Sequence, residues 1–116
     1  MSDVVALVDD LFFQAKLTET ARLAGVNVEL VATGEALLAA AADHPRLVLV
    51  DLNARQAPFE AIERLCNSGN APRVIGFFSH VQTDLAERAR SAGCTQVLPR
   101  SKFTANLADI LRQAIV

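Results

Sequence analysis

Three carboxylates carry the chemistry available to this sequence. Asp51 follows the apolar run Leu47-Val48-Leu49-Val50, and Asp9-Asp10 follow a second run, Val4-Val5-Ala6-Leu7-Val8. A carboxylate at such a place can act as a nucleophile or hold a hard cation through oxygen. A lone one can equally cap the turn that follows it. Brought together, such groups repel: two unit charges about 4 Å apart cost on the order of 4 kcal/mol at an effective dielectric near 20. Either one carboxyl is protonated or a cation sits among them. Mg2+ favours one or two carboxylates completed by phosphate oxygens and water. The expectation is therefore an Mg2+ and phosphate site with Asp51 as phosphoryl acceptor. Ser79, at the end of the run Arg73 to Phe78, could hydrogen-bond one phosphoryl oxygen, and Arg100 could charge-pair with another.

The elements around these residues must place them at one spot. The runs ending at Asp9-Asp10, Asp51 and Ser79 are continuously apolar, as strands buried on both faces are. Val26 to Ala32 instead alternates, with Val26, Val28, Leu30 and Ala32 on one face and Asn27 and Glu29 on the other, which suits a sheet edge. Helical spacing joins Phe13, Leu17, Ala21 and Ala24 before a stop at Gly25. Thr33 is a candidate N-cap for an Ala-rich helix through about Ala42, and Pro45 closes that segment. Pro58 opens a helix carrying Phe59, Ile62, Leu65 and Cys66. Leu85, Ala89 and Ala92 mark another, ended by Gly93, and Thr95 to Leu98 is a short strand. Phe103, Leu107, Ile110, Leu111 and Ala114 make a final amphipathic helix.

Five β-α repeats imply right-handed parallel crossovers. With the alternating strand at an edge, the order becomes 2-1-3-4-5: a flavodoxin-like, doubly wound, five-stranded parallel sheet with helices on both faces. Ligands bind such sheets outside the carboxyl ends of the strands, at the switch point between strands 1 and 3. Asp9, Asp10 and Asp51 end those two strands.

Composition narrows the function classes. The 116 residues predict one domain, 1–116, and 52% of them are apolar, enough for a real core. A net charge of −2 without a basic cluster speaks against nucleic acid and anionic membranes as partners. No apolar run approaches the roughly 20 residues of a membrane span, and Met1-Ser2-Asp3 has no basic n-region, so the expected location is cytoplasmic. Cys66 and Cys94 lack metal-type spacing and are expected to be buried thiols in a reducing setting. His44, before Pro45, reads as a surface turn residue.

From Val4 to the last helix the chain resembles the receiver domains of two-component response regulators, the CheY-like superfamily. The matching pieces are Leu7-Val8-Asp9-Asp10, Val48-Leu49-Val50-Asp51-Leu52-Asn53, Phe77-Phe78-Ser79, and Gly93 through Arg100. The resemblance implies that Asp9 and Asp10 organise Mg2+ with Asp51 and the backbone carbonyl of Asn53. It also implies that Asp51 is phosphorylated and that Ser79 is the hydroxyl residue that moves on activation. A histidine kinase or phosphotransfer protein would be the donor. Output would pass to a downstream protein by contact, and the face of strand 5 and the last two helices is the family's usual homodimer and partner surface. Enzymatic activity would not go beyond self-phosphorylation from a donor and autodephosphorylation.

Departures from that pattern cluster after strand 5. The family's Lys-Pro pair is Arg100-Ser101 here, and Arg presents a planar fork in place of a compact ammonium. Without the proline, a trans peptide bond is expected before Ser101. The aromatic switch position holds Val97, and His80 replaces a small residue after Ser79. The loop Ala54-Arg55-Gln56-Ala57-Pro58 is one residue short. These changes make a degenerate receiver, acting as a phosphorylation-independent protein-interaction module, the alternative reading. A small phosphatase of the haloacid dehalogenase type would need a second Asp where Asn53 stands and room for a cap domain. Nucleotide or flavin binding lacks a glycine-rich loop after the first strand.

Overall fold

A strand that is apolar at every position needs cover on both faces, and the topology supplies it. The computed structural model describes residues 3–55, 58–69, 71–79 and 83–115. Five parallel strands, β1 (Val4–Leu7), β2 (Val28–Val31), β3 (Leu47–Asp51), β4 (Arg73–Phe78) and β5 (Gln96–Pro99), lie in the order β2-β1-β3-β4-β5. This is the expected flavodoxin-like sheet. The alternating strand is at one edge, and the three continuous runs are at the centre. The helices are α1 (Leu11–Ala24), α2 (Gly34–Ala41), α3 (Pro58–Cys66), α4 (Thr83–Ala92), α5 (Arg100–Ala105) and α6 (Leu107–Gln113).

Because successive side chains leave a strand on opposite faces, the central strands feed two cores. Val4, Ala6, Val8, Leu47, Leu49, Ile75 and Phe77 pack beneath Phe13 and Leu17 of α1, Phe103 of α5 and Leu107 and Leu111 of α6. Val5, Leu7, Val48, Val50 and Val74 pack beneath Leu37 of α2, Ile62 and Leu65 of α3, and Ala89 and Ala92 of α4. The register pairs Leu7 with Val50 and Asp51 with Phe77, so β1, β3 and β4 end level with one another.

Local signals match their elements. The Thr33 hydroxyl accepts from the Ala36 N–H at 3.1 Å and caps α2. Gly25 ends α1 at φ 73°, and Pro58 is the first residue of α3. Gly93 is required twice over: its φ is 120°, and a Cβ there would lie 2.5 Å from the Cys66 Sγ. His44 is exposed, with φ 56°.

Four expectations need correction. The strand expected over 26–32 is shorter, and Val31 is buried in the α2–α4 layer while Val28 and Leu30 pack on the other. An edge strand whose ends meet loops can divide its apolar residues between both faces. The strand expected over 95–98 sits one residue later. The last helix begins at Arg100, directly after Pro99, and is broken at Asn106 (φ −108°, ψ 11°). The Asn106 side-chain amide donates to the Lys102 carbonyl at 2.9 Å, the local competition that makes Asn a poor helix-interior residue. Finally, Cys66 and Cys94 are half-buried free thiols, not fully buried ones. Burial still pushes the Cys94 thiol up to about 11 and raises that of Cys66.

Candidate functional site

Strand register brings the acidic residues to one end of the sheet. Asp51, the last residue of β3, is 3% exposed. Its Oδ1 accepts from the Asn53 N–H at 2.9 Å, and its carbonyl accepts from the Ala54 N–H at 3.0 Å. The chain therefore turns sharply around this carboxylate, so the turn-capping role is filled by Oδ1. Burial holds the Asp51 carboxyl above its ordinary value, and the charges of Asp9 and Asp10 push it the same way. The Asn53 hydrogen bond and the Arg100 charge oppose that rise.

Asp9 and Asp10 are half-buried in the β1–α1 connection, beside β3. The Asp9 Oδ2 accepts from the Arg55 N–H at 3.0 Å, fastening the loop after β3 to the end of β1. Asp10 is the N-cap of α1: its Oδ1 accepts from the Phe12 N–H at 2.9 Å and the Phe13 N–H at 3.3 Å. Its Oδ2 pairs with Arg100 Nη2 at 3.0 Å. The Arg100 hydrogen bond, more than the backbone N–H groups, holds the Asp10 carboxyl below the usual carboxylate range.

Arg100 completes the site from α5. Its Nη1 donates to Ser79 Oγ at 3.3 Å, and its Cζ lies 4.3 Å from the centre of the Phe13 ring. Phe13 is 5.2 Å from Phe77, and Phe77 stacks on Phe103 at 4.2 Å. The guanidinium thus rests on an aromatic floor joining α1, β4 and α5. The Arg100–Ser101 peptide bond is trans, as expected without proline. Ser79, just past β4, donates its N–H to the Asn53 side-chain Oδ1 at 2.8 Å.

All five side chains singled out in the sequence, Asp9, Asp10, Asp51, Ser79 and Arg100, therefore lie at one end of the sheet. Lys102 is exposed, and Val97 is half-buried against the α2–α4 layer. His80, Gln56 and Ala57 lie outside the described residues.

Three features escaped the sequence. The first is the side chain of Asn53, which locks Ser79. The second is the capping role of Asp10, signalled by an Asp standing just before a helical run. The third is the apolar rim at the start of α1, where Leu11 is 77% and Phe12 91% exposed.

The donor set suits a divalent ion with an incomplete protein cage. Among the described residues, no group of three acidic, histidine or cysteine side chains is drawn together tightly enough to hold a metal alone. Among the described residues, no side-chain cation pairs with Asp9 or Asp51, and Asp9 borders a groove of about 540 Å³ with Asp10, Ala32, Thr33 and Arg55. Two carboxylates with open positions for water and phosphate oxygen fit Mg2+ better than Ca2+, which wants more protein ligands.

Neither a protein-family profile nor a curated relative matches the chain. Solved structures do. The chemotaxis protein CheY4 of Vibrio cholerae superposes with a TM-score of 0.83 at 19% identity, over 98% of each chain. The signal receiver domain of NarL from Mycobacterium tuberculosis superposes with a TM-score of 0.82 at 18% identity, over 98% of this chain and 96% of that one. The chain has the receiver-domain fold. A third structure with this fold is the Mn2+-bound form of the response regulator Rcp1, with a TM-score of 0.74 at 15% identity over 97% of this chain and 91% of that one. In the receiver fold of this chain, the acidic residues stand at the switch point between β1 and β3, where such sheets bind ligands. Among the described residues, no helix is long and apolar enough to cross a membrane.

Proposed function

We propose that this chain is a receiver in two-component signal transduction, phosphorylated on Asp51 in an Mg2+-dependent manner. The observation that carries the reading is the placement of Asp51: a nearly buried carboxylate at the end of β3, level with Asp9 and Asp10, within a receiver fold. The donor is a phosphohistidine of a histidine kinase or phosphotransfer protein, and the output is a contact with a downstream protein in the cytoplasm. The surface of β5 and the last two helices is the candidate face for that contact or for a homodimer, by analogy of fold.

In the transfer, an Asp51 carboxylate oxygen attacks the phosphorus, the P–N bond to the donor imidazole breaks, and the imidazole leaves with its electron pair and takes up a proton. The Asn53 N–H keeps one Asp51 oxygen engaged and so aims the other at the donor. Ser79 and Arg100 provide a hydroxyl and a guanidinium for the phosphoryl oxygens. Asp9, Asp10, Asp51 and the Asn53 carbonyl would hold Mg2+; bound there, the ion would supply charge neutralisation for the phosphoryl group. The Mn2+ in the Rcp1 structure is support for a divalent ion in this fold. Catalysis is then positioning and electrostatics, and the chain is a signalling module whose own chemistry is limited to phosphoryl uptake and hydrolysis.

One observation favours the alternative, a phosphorylation-independent interaction module: Arg100 already engages both Asp10 and Ser79. Intact mass after incubation with a small acyl phosphate, with Mg2+ or with chelator, separates the two. The receiver gains one phosphoryl group with Mg2+ and none with chelator; the interaction module gains none in either.

A further inference from the structure

Arg100 is bound on three sides by three parts of the chain. Nη2 lies 3.0 Å from Asp10 Oδ2, Nη1 lies 3.3 Å from Ser79 Oγ, and the planar group rests 4.3 Å from the centre of the Phe13 ring. Its side chain is 29% exposed, so these contacts are partly shielded from water. The other Asp10 oxygen is taken by the first N–H groups of α1. Both oxygens of Asp10 are therefore engaged, one by the helix and one by a permanent cation. A divalent ion seeking Asp10 must displace that guanidinium. The carboxylate repulsion that a bound metal would relieve is already partly relieved from within the chain.

We infer that Arg100 is the resident counter-ion of the acidic pocket, competing with a divalent cation for Asp10 and so keeping the affinity for that cation low. The inference rests on the reading of this pocket as a divalent-cation site. Its physical basis is the guanidinium fork: one plane spans a carboxylate and a hydroxyl while stacking on a ring, which an ammonium cannot do. An anion formed at Asp51 changes the balance, since it offers Arg100 a second partner and leaves an Asp10 oxygen for the metal. Arg100 is also the first residue of α5, so its exchange of partners acts on the start of that helix.

The test is calorimetric titration with Mg2+, repeated with Mn2+, of metal-freed wild type, Arg100→Ala and Arg100→Gln. The glutamine keeps the stem over Phe13 and a donor for Ser79 but removes the charge, which guards against loss of folding in the alanine variant. Circular dichroism verifies that each variant is folded. Both variants are expected to bind Mg2+ at least tenfold more tightly than wild type, and to gain more in melting temperature on adding Mg2+. Equal or weaker affinity in both variants overturns the inference. The two readings fail separately. Tighter metal binding in the variants, with no phosphoryl uptake by wild type, contradicts the receiver and leaves the counter-ion standing. Phosphoryl uptake by wild type with unchanged affinity in the variants contradicts only the counter-ion.

Discussion

The carboxamide oxygen of Asn53 accepts a 2.8 Å hydrogen bond from the N–H of Ser79, fastening the turn after β3 to the end of β4. The same turn is held on its other side by Asp9, through the Arg55 N–H at 3.0 Å. Three strand ends are thus tied together around Asp51 by two long-range hydrogen bonds. Replacing Asn53 by Ala removes one tie at an exposed position, a loss of about 0.5–1.5 kcal/mol. The expected result is a melting temperature lower by a few degrees and slower phosphoryl uptake, read by calorimetry and by the time course of the mass change.

Asp51→Asn is expected to have opposite effects on function and stability. The substitution removes the proposed acceptor, so no phosphoryl group is expected on the variant. It also removes a charge that burial and two neighbouring carboxylates disfavour, while the amide oxygen can still accept from the Asn53 N–H. A higher melting temperature is expected in metal-free buffer. A lower melting temperature would show that the carboxylate contributes more through its hydrogen bond than it loses by desolvation.

Cys94 gives the fold an alkaline weakness. Its thiol is raised from 9.0 to about 11 in the folded chain. The folded state therefore keeps a proton that the unfolded state gives up, and this contribution to stability is intact below pH 9 and lost as pH rises through 11. The wild type's unfolding free energy, read from denaturant melts, should fall between those values, with Cys94 contributing at most about 1.4 kcal/mol per pH unit. Cys94→Ala should show a shallower decline. At neutral pH the protonated thiol should alkylate more slowly than free cysteine.

Gly93→Ala meets two obstacles at once. The backbone there has φ 120°, which residues with a Cβ disfavour, and the new methyl group would lie 2.5 Å from Cys66 Sγ and 2.7 Å from Cys66 Cβ. The expected cost is about 2–4 kcal/mol, seen as a large drop in melting temperature with α3 and α4 exchanging amide hydrogens faster.

The frame of this molecule was legible because it rests on patterns that repeat along the chain. Runs such as Leu47 to Val50 can be satisfied only in a sheet covered on both sides. The alternation around Val28 and Leu30 then sends that strand to an edge and fixes the order. Thr33, Pro58, Gly25 and Gly93 mark element ends through local backbone chemistry, so they too could be read in sequence. The partners of Arg100 could not. Asp10 is 90 positions away, and the contact depends on where α5 starts and on the Phe13 ring beneath it. The break at Asn106 was hidden because Phe103, Leu107, Ile110 and Leu111 keep a helical period across it. The half-burial of Cys66 and Cys94 depends on how deeply α3 and the α4–β5 turn seat, which neither spacing nor composition expresses.

The central claim is that Asp51 accepts a phosphoryl group. Its most direct test is the intact mass of wild type and Asp51→Asn after incubation with a small acyl phosphate and Mg2+, followed by peptide mapping of any adduct. One phosphoryl group is expected on the wild type, on the peptide containing Asp51, and none on the variant. An unmodified wild type, or an equal adduct on both proteins, would contradict it.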